Sequence, residues 1–555
     1  MPTSPHALDQ PAFSFVSRRS PVFARGGMAA ASQPYAVSAA LEMLRRGGSA
    51  ADGAVAAAAA LAVTEPPSTG LGGDAFALYY EAATGRVTGL NGSGRSPAGL
   101  TFDLLRSRGL DALPPRGALS VTVPGALSAW CGLVERHGRL GLEDILAPAV
   151  EHAQGGFALG PVTAELWAKG EAEVLRTAPG GAALLPGGHS PRAGQLVHNA
   201  DLGRLLEALA GAGSPRAAHD LFYQGETAER IAAAVGRAGG VLAQSDLAIH
   251  EAEWVQPVST VYRGVRVYEC APNGQGLTAL LALNILSELQ FPDGSGPLSA
   301  TRLHAVIEAL RLGFADARRY VADADLAPAP LDGLLSRGYA AHRARLVDPL
   351  RANPDAGFGL PSASSDTVQF CVVDGQGNAC SMVNSVYKNF GTGIVPLGLG
   401  FALQNRADNF SCDPAHPNAL GPGKRTYHTI IPGMAVREQD GSLYCPFGVM
   451  GGFMQPQGHV QVLTALLDDG VDPQAALDRP RFCIGDGLVS GAVSLEQGIP
   501  SATAEALAAM GHEVRHVSGY ARSLFGRGQI ILRDPETGWL CAGSDPRADG
   551  LAMGL

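Results

Sequence analysis

Thr367 is the residue of this sequence best placed to do covalent chemistry. It heads the run Val368, Gln369, Phe370, Cys371, Val372, Val373, whose period-two alternation predicts a strand with two distinct faces. Asp374-Gly375-Gln376-Gly377 breaks that run, and a second alternating stretch follows from Asn378 to Tyr387. The two read as a hairpin whose turn residues supply the positive φ of a tight reversal. Directly before Thr367 lies the loop-like Pro361-Ser362-Ala363-Ser364-Ser365-Asp366. A β-branched residue that simply begins a strand is one reading. The other is a nucleophile: cutting the Asp366–Thr367 bond would free an α-amine, with an ordinary pKa of about 7.7–8.0, as a base beside the hydroxyl.

Two other motifs compete for attention and lose on geometry. His512-Glu513-Val514-Arg515-His516 matches a zinc-protease string, which works only on a helix, where residues i and i+4 share a face. Gly511 ends a helical pattern just before it, and a strand over His512 to Val517 would hold the two imidazoles roughly 13 Å apart. His416, His428 and His459 are scattered, so no metal is expected. The glycine-rich Ser68-Thr69-Gly70-Leu71-Gly72-Gly73-Asp74 precedes a predicted strand, the reverse of a dinucleotide fingerprint, and is read as a tight turn. No cofactor is expected either.

DTVQFCVVDGQGNA and NFGTGIV, followed by GFALQNR, PGKRTYHTIIPGM and MGGFMQPQGH, resemble the small-subunit half of the γ-glutamyltransferase family of self-cleaving N-terminal-nucleophile hydrolases. The run from Gly26 through GGDAFALYY, LNGSGRSP around Arg95, SVTVPGALSAW, LAPAVEHAQGGFAL and APNGQGLTALLALNIL are similar to its large-subunit half, in order. The resemblance implies an α/β fold of the four-layer αββα sandwich type, cleavage between Asp366 and Thr367, and a heterodimer of the two parts, with further pairing left open. It also implies roles for particular residues. Thr367 is the nucleophile, Ser385 orients its hydroxyl, and the N–H groups of Gly451 and Gly452 form an oxyanion hole. Arg95 is a carboxylate clamp, a role for which a planar guanidinium is suited.

Departures from the family pattern fall on the substrate pocket. Thr367-Val368-Gln369 stands where γ-glutamyl-cleaving relatives have TTH, Tyr387 replaces an Asn, and Arg406 a Gln. Asn409 stands for the Asp that binds the α-ammonium, and His428-Thr429 for a Ser pair. Losing that acid and gaining Arg406 predicts a pocket for a carboxylate without a neighbouring ammonium, as in a glutaryl or shorter dicarboxylic monoamide. Glutathione-type hydrolysis or γ-glutamyl transfer, cephalosporin-type acylase action and oxamate hydrolysis all stay open, as does an inactive binding protein of the same fold.

The elements that must position these residues follow from periodicity. Helices are expected from Pro34 to Val63 as a pair, at Leu142–Ala153, Leu202–Ala210, Ala228–Ala238 and Thr301–Tyr320, after Pro456, and at Ala502–Met510. Strands are expected at Ala75–Tyr80, Val87–Leu90, within Val255–Glu269, and at Gly400–Leu403, His428–Ile431, Met434–Glu438, Leu443–Phe447, His512–Val517, Ser523–Phe525 and Gln529–Arg533. Residues 1–22 read as a flexible arm, 23–366 as the large part and 367–555 as the small part of one interlocked domain.

Charged residues make up only 17% of 555, below the roughly 25% usual in soluble domains, so a large buried volume is expected. A net charge of −10 with no long Lys/Arg run argues against a nucleic-acid partner. The eight cysteines contain no CxxC pair and read as apolar fillers in a reduced compartment. The opening residues lack the apolar run of a secretory signal, and Ala54–Val63 is too short to span a bilayer, so a cytoplasmic, membrane-free protein acting on a small-molecule amide is expected.

Overall fold

The computed structural model describes residues 19–292, 294–353, 367–487 and 491–555. Most of the arm and Asp366 fall outside that range. Two seven-stranded sheets face each other. One runs Val22–Ala24, Leu540–Ser544, Arg527–Arg533, Leu443–Met450, Gly433–Arg437, Val265–Glu269, Val258–Tyr262. The other runs Leu551–Gly554, Met28–Ala31, Val368–Val373, Ala379–Ser385, Asp74–Glu81, Arg86–Gly92, Glu253–Val255. Every pairing within the two is antiparallel. Helices cover the outer faces, giving the four-layer αββα sandwich expected.

The hairpin after Thr367 lies in the middle of the second sheet, between Met28–Ala31 and Asp74–Glu81. Its two faces separate as the alternation predicts. Val368, Phe370 and Val372 join the core under the helices, whereas Cys371 and Val373 pack between the sheets with Phe76, Met434 and Ile531. All six residues Val368–Val373 are buried, because here both faces of the sheet are covered. The helix Ala50–Thr64 packs on this hairpin and is buried along its whole length, which its small Ala side chains permit. Ser49 and Asp52 start it with a reciprocal capping box.

On the other side, helices Gly276–Glu288, Ala300–Tyr320 and Met454–Leu467 share one apolar cluster with strands of the first sheet. The last begins two residues before Pro456, which lies in its first turn, where its missing N–H costs nothing.

Three expected strands are absent. Residues 400–403 form no strand, and their pairing is local: Leu403 N–H donates to Ile394 O and Gln404 N–H to Gly72 O. Gly72 makes this approach possible, since a Cβ there would lie 2.1 Å from Ala402 O. His428–Ile431 contributes only an isolated bridge from His428 to Gly274. Ser523–Phe525 falls in a 3₁₀ helix, Gly519–Phe525. Apolar runs this short cannot be assigned by pattern, because strand and loop burial look alike. The strand expected over His512–Val517 begins at Val514.

Candidate active site

Strand register brings the site together. Val368 lies opposite Asn384 on the neighbouring strand, so Thr367 stands across from Ser385, and Ser385 in turn lies opposite Asp74. Cross-strand neighbours of this kind have side chains within contact distance. Thr367 Oγ1 is 3.1 Å from Ser385 Oγ, and both residues are fully buried. Tyr387 N–H and Arg406 Nη2 donate to Ser385 Oγ, at 2.9 and 3.3 Å. Ser385 Oγ is thus fixed in place beside the Thr367 hydroxyl.

Tyr387 holds φ of 78°, a conformation a bulky residue rarely adopts. That backbone sends its ring under the Arg406 guanidinium, 4.3 Å from centroid to Cζ, and its hydroxyl donates to Asn409 Oδ1 at 2.6 Å. Arg406 and Asn409 come from one 3₁₀ turn. Arg406 Nη1 donates to Thr429 Oγ1 at 2.8 Å. Burial lowers the Arg406 pKa to about 10, so it remains cationic at neutral pH. His428, next to Thr429, donates from Nε2 to Asp74 Oδ2 at 2.9 Å, while its Nδ1 accepts from Ile430 N–H. Burial, then the charge of Arg406, holds its pKa down at about 4, so the ring is neutral. Thr367, Ser385, Tyr387, Arg406, Asn409 and Thr429 thus form one hydrogen-bonded group, and His428, next to Thr429, joins it to Asp74.

Asp74 lies beside that group, and in the sequence it stands out only as the last residue of a glycine-rich turn. Its Oδ1 accepts from Gly94 N–H, Gly125 N–H and Gln404 Nε2. Burial opposes its ionisation, but the hydrogen bond from His428 and the Arg406 charge outweigh that and lower its pKa.

Gly451 and Gly452 join the strand Leu443–Met450 to the helix Met454–Leu467, with φ of 128° and 59°. Gln275 Nε2 holds the carbonyls of Gly452 and Thr429, at 2.8 and 2.7 Å. Among the described residues neither glycine N–H donates to a backbone carbonyl in the turn. N–H groups at a helix start suit an oxyanion.

Arg95 does not join this group through any contact among the described residues. Its guanidinium pairs with Asp323, Asp325 and Glu253 at 3.1, 3.0 and 3.3 Å.

Arg527 was not legible from the sequence. It is buried, pairs with Glu65 at 2.7 Å, and donates from Nη2 to Ser68 Oγ and to the carbonyl of Thr367, at 3.2 and 3.3 Å. It therefore holds the main chain of Thr367 while Ser385 holds its side chain. Arg527→Lys keeps the charge facing Glu65 but loses the fork that reaches Ser68 and Thr367. Turnover is expected to fall about tenfold, the worth of one hydrogen bond to a charged group, with little change in the urea midpoint. An unchanged kcat would remove Arg527 from the site.

Among the described residues one group could hold a metal ion: His304, Glu308 and His512, all buried. Here His512 faces His304, Nδ1 of His304 lying 2.8 Å from Nε2 of His512, and Glu308 meets Arg311 and Asn353 N–H. Arg311 already balances the carboxylate charge that would attract a cation. His516 is exposed on the strand Val514–Val517 and takes no part. All eight cysteines are free thiols. No helix among the described residues is long and apolar enough to cross a membrane.

Comparison with known proteins decides the family. The model of the gamma-glutamyltranspeptidase family matches residues 36–555. The chain belongs to this family. It is thus an enzyme of the N-terminal-nucleophile hydrolase superfamily, related to that superfamily's acylase and oxamate-hydrolase branches, an amidohydrolase or acyltransferase made as a proenzyme. A Bacillus subtilis protein named glutathione hydrolase-like YwrD proenzyme is 37% identical, over 92% of this chain and 95% of the relative. The oxamate amidohydrolase proenzyme of Klebsiella pneumoniae subsp. pneumoniae is 34% identical, over 95% and 98%. The crystal structure of cephalosporin acylase from Bacillus halodurans superposes with a TM-score of 0.90 at 41% identity, covering 99% of each chain.

Proposed function

We propose that this gamma-glutamyltranspeptidase-family enzyme cleaves its own chain between Asp366 and Thr367 and then hydrolyses a small, carboxyl-bearing amide through Thr367. In the precursor the Thr367 hydroxyl attacks the Asp366 carbonyl, the acyl group shifts from nitrogen to oxygen, and water hydrolyses the ester. Residues 1–366 and 367–555 result, and Thr367 gains a free amine. In turnover that amine takes the hydroxyl proton as the oxygen attacks the amide carbon, then gives it to the leaving amine as the C–N bond breaks. The N–H groups of Gly451 and Gly452 receive the oxyanion. Water or an acceptor amine then releases the acyl group from Thr367.

The observation that carries this reading is the position of Thr367 at the head of a central strand, its hydroxyl 3.1 Å from Ser385 and its carbonyl held by Arg527. The three relatives bear three different activity names, so the substrate has to be argued from the pocket and not from the family. Asn409 and the neutral His428 offer no negative charge to an α-ammonium, and Arg406 offers a positive one to a carboxylate.

Intact mass spectrometry of the purified protein tests the proposal. Two fragments meeting at Asp366/Thr367 are expected, with a transient acyl adduct on the 367–555 fragment during turnover. A chain that stays whole after long incubation would sink it and favour a binding protein.

A further inference from the structure

We infer that Gln275 is a positioning residue for turnover: its side-chain amide ties the Gly451–Gly452 turn to the Thr429–Arg406 pair and so fixes the N–H groups that receive the oxyanion. This rests on the roles of Thr367, Gly451 and Gly452 proposed above.

Gln275 is fully buried at the start of the helix Gly276–Glu288, in the position that Ser, Thr, Asp or Asn usually takes to cap a first turn. Its side chain makes no such bond. It turns instead to two other segments: Nε2 donates to the carbonyls of Thr429 and Gly452, at 2.7 and 2.8 Å, and Oε1 accepts from the Tyr427 hydroxyl at 3.1 Å. Carbonyls only accept, so these partners leave the amide one orientation. The main-chain N–H of Gln275 donates to His428 O at 2.9 Å and holds the same segment a second time. The helix start draws nothing from this side chain, whereas the site draws three contacts from it.

The glycines make such a tie necessary. Gly451 and Gly452 have φ of 128° and 59°, and with no Cβ atoms their own sterics restrict the turn little. In a trans peptide an N–H points opposite to the carbonyl before it. The Gly452 N–H therefore follows the Gly451 carbonyl, which accepts from Met454 N–H at 2.9 Å. The peptide plane on the other side of Gly452 is held through its own carbonyl, which takes Gln455 N–H at 3.1 Å and Gln275 Nε2 at 2.8 Å. Of these three bonds, two come from the helix that the turn itself begins, and the third, from Gln275, comes from outside it. That third bond links the turn to Thr429, whose hydroxyl accepts from Arg406. A shift of about 1 Å at a reacting centre can cost about 10²-fold in rate. Because the oxyanion exists only in the transition state and the tetrahedral species, a loosened turn lowers kcat and leaves substrate binding in place.

The test compares Gln275→Met, Tyr427→Phe and Val460→Ala with the wild type, rates being counted per cut chain by intact mass. Gln275→Met keeps the side-chain length and removes both donors. Tyr427→Phe removes only the hydroxyl that orients the amide, and it decides the matter if Gln275→Met stays uncut. Val460→Ala opens a cavity in the apolar cluster on the helix Met454–Leu467 without touching the turn. Ammonia release is followed with whichever of oxamate, glutaramate and glutamine the wild type hydrolyses fastest. We expect kcat to fall by at least about tenfold in Gln275→Met and about threefold in Tyr427→Phe, with KM within about twofold of the wild type. Val460→Ala should keep the wild-type kcat although its Tm drops. Amide hydrogen exchange over residues 450–456 should quicken in the first two variants. A kcat loss that Val460→Ala matches, or one without quicker exchange, would reduce Gln275 to packing and overturn the inference. A cut wild type whose Gln275 and Tyr427 variants keep its kcat removes the positioning role alone, whereas a wild type that stays uncut removes the Thr367 reading and the positioning role with it.

Discussion

A Thr367→Ala chain is expected to stay in one piece and to release no ammonia from any amide, a loss of at least ~10⁴-fold. The substitution removes Oγ1, which the proposed mechanism uses twice, once on the Asp366 carbonyl and once on the substrate. Intact mass and an ammonia assay read the two losses separately. Thr367→Ser keeps the oxygen and the distance to Ser385 and should still cut, though more slowly for want of the methyl that limits rotation about χ1. Self-cleavage that survived in the Ala variant would move the nucleophile elsewhere, with the Ser385 hydroxyl, 3.1 Å away, as the first candidate.

Asp74→Ala is expected to destabilise the protein by about 3–5 kcal/mol, the usual cost of removing one partner from a buried charged network. Asp74 lies in the second sheet opposite Ser385, and its carboxylate ties together Gly94, Gly125, Gln404 and His428. Without it, two buried N–H groups lose their acceptor and Arg406 loses the counter-charge of Asp74. Urea denaturation reads the loss as a lower midpoint at unchanged slope. A change of less than about 1 kcal/mol would mean that water replaces the carboxylate and that the group is not the hub its geometry describes. Asp74→Asn preserves shape and some hydrogen bonds, so it separates the charge from the packing.

The site was partly legible because several of its members are close in sequence. The alternation after Thr367, the Asp374–Gly377 turn and the second strand fix which residue faces Thr367, and the register in the fold puts Ser385 there. Substitution of family residues by Tyr387, Arg406, Asn409 and His428 pointed to a changed pocket, and the fold brings Tyr387, Arg406 and Asn409 together beside Ser385 and sets His428 on Asp74. The clamp role of Arg95 came from the family resemblance of its loop, and no local pattern announces the three acids that occupy it, from positions 253, 323 and 325.

By itself the sequence determined the alternating strands, the helix pair between Pro34 and Val63, the order of the family motifs and the residue that heads the central hairpin. Periodicity and capping are local, set by neighbours within a turn or a strand. Only the tertiary structure decided which charges balance which. Arg527 meets Glu65 across 462 positions and His428 meets Asp74 across 354, and nothing near either residue records its partner. It likewise decided that residues 400–403 and 428–431 run as loops, because their backbone groups bond to turns and not to a neighbouring strand. Burial makes these distant pairings matter: a charge in the interior must find a partner there, and only the folded chain can bring one.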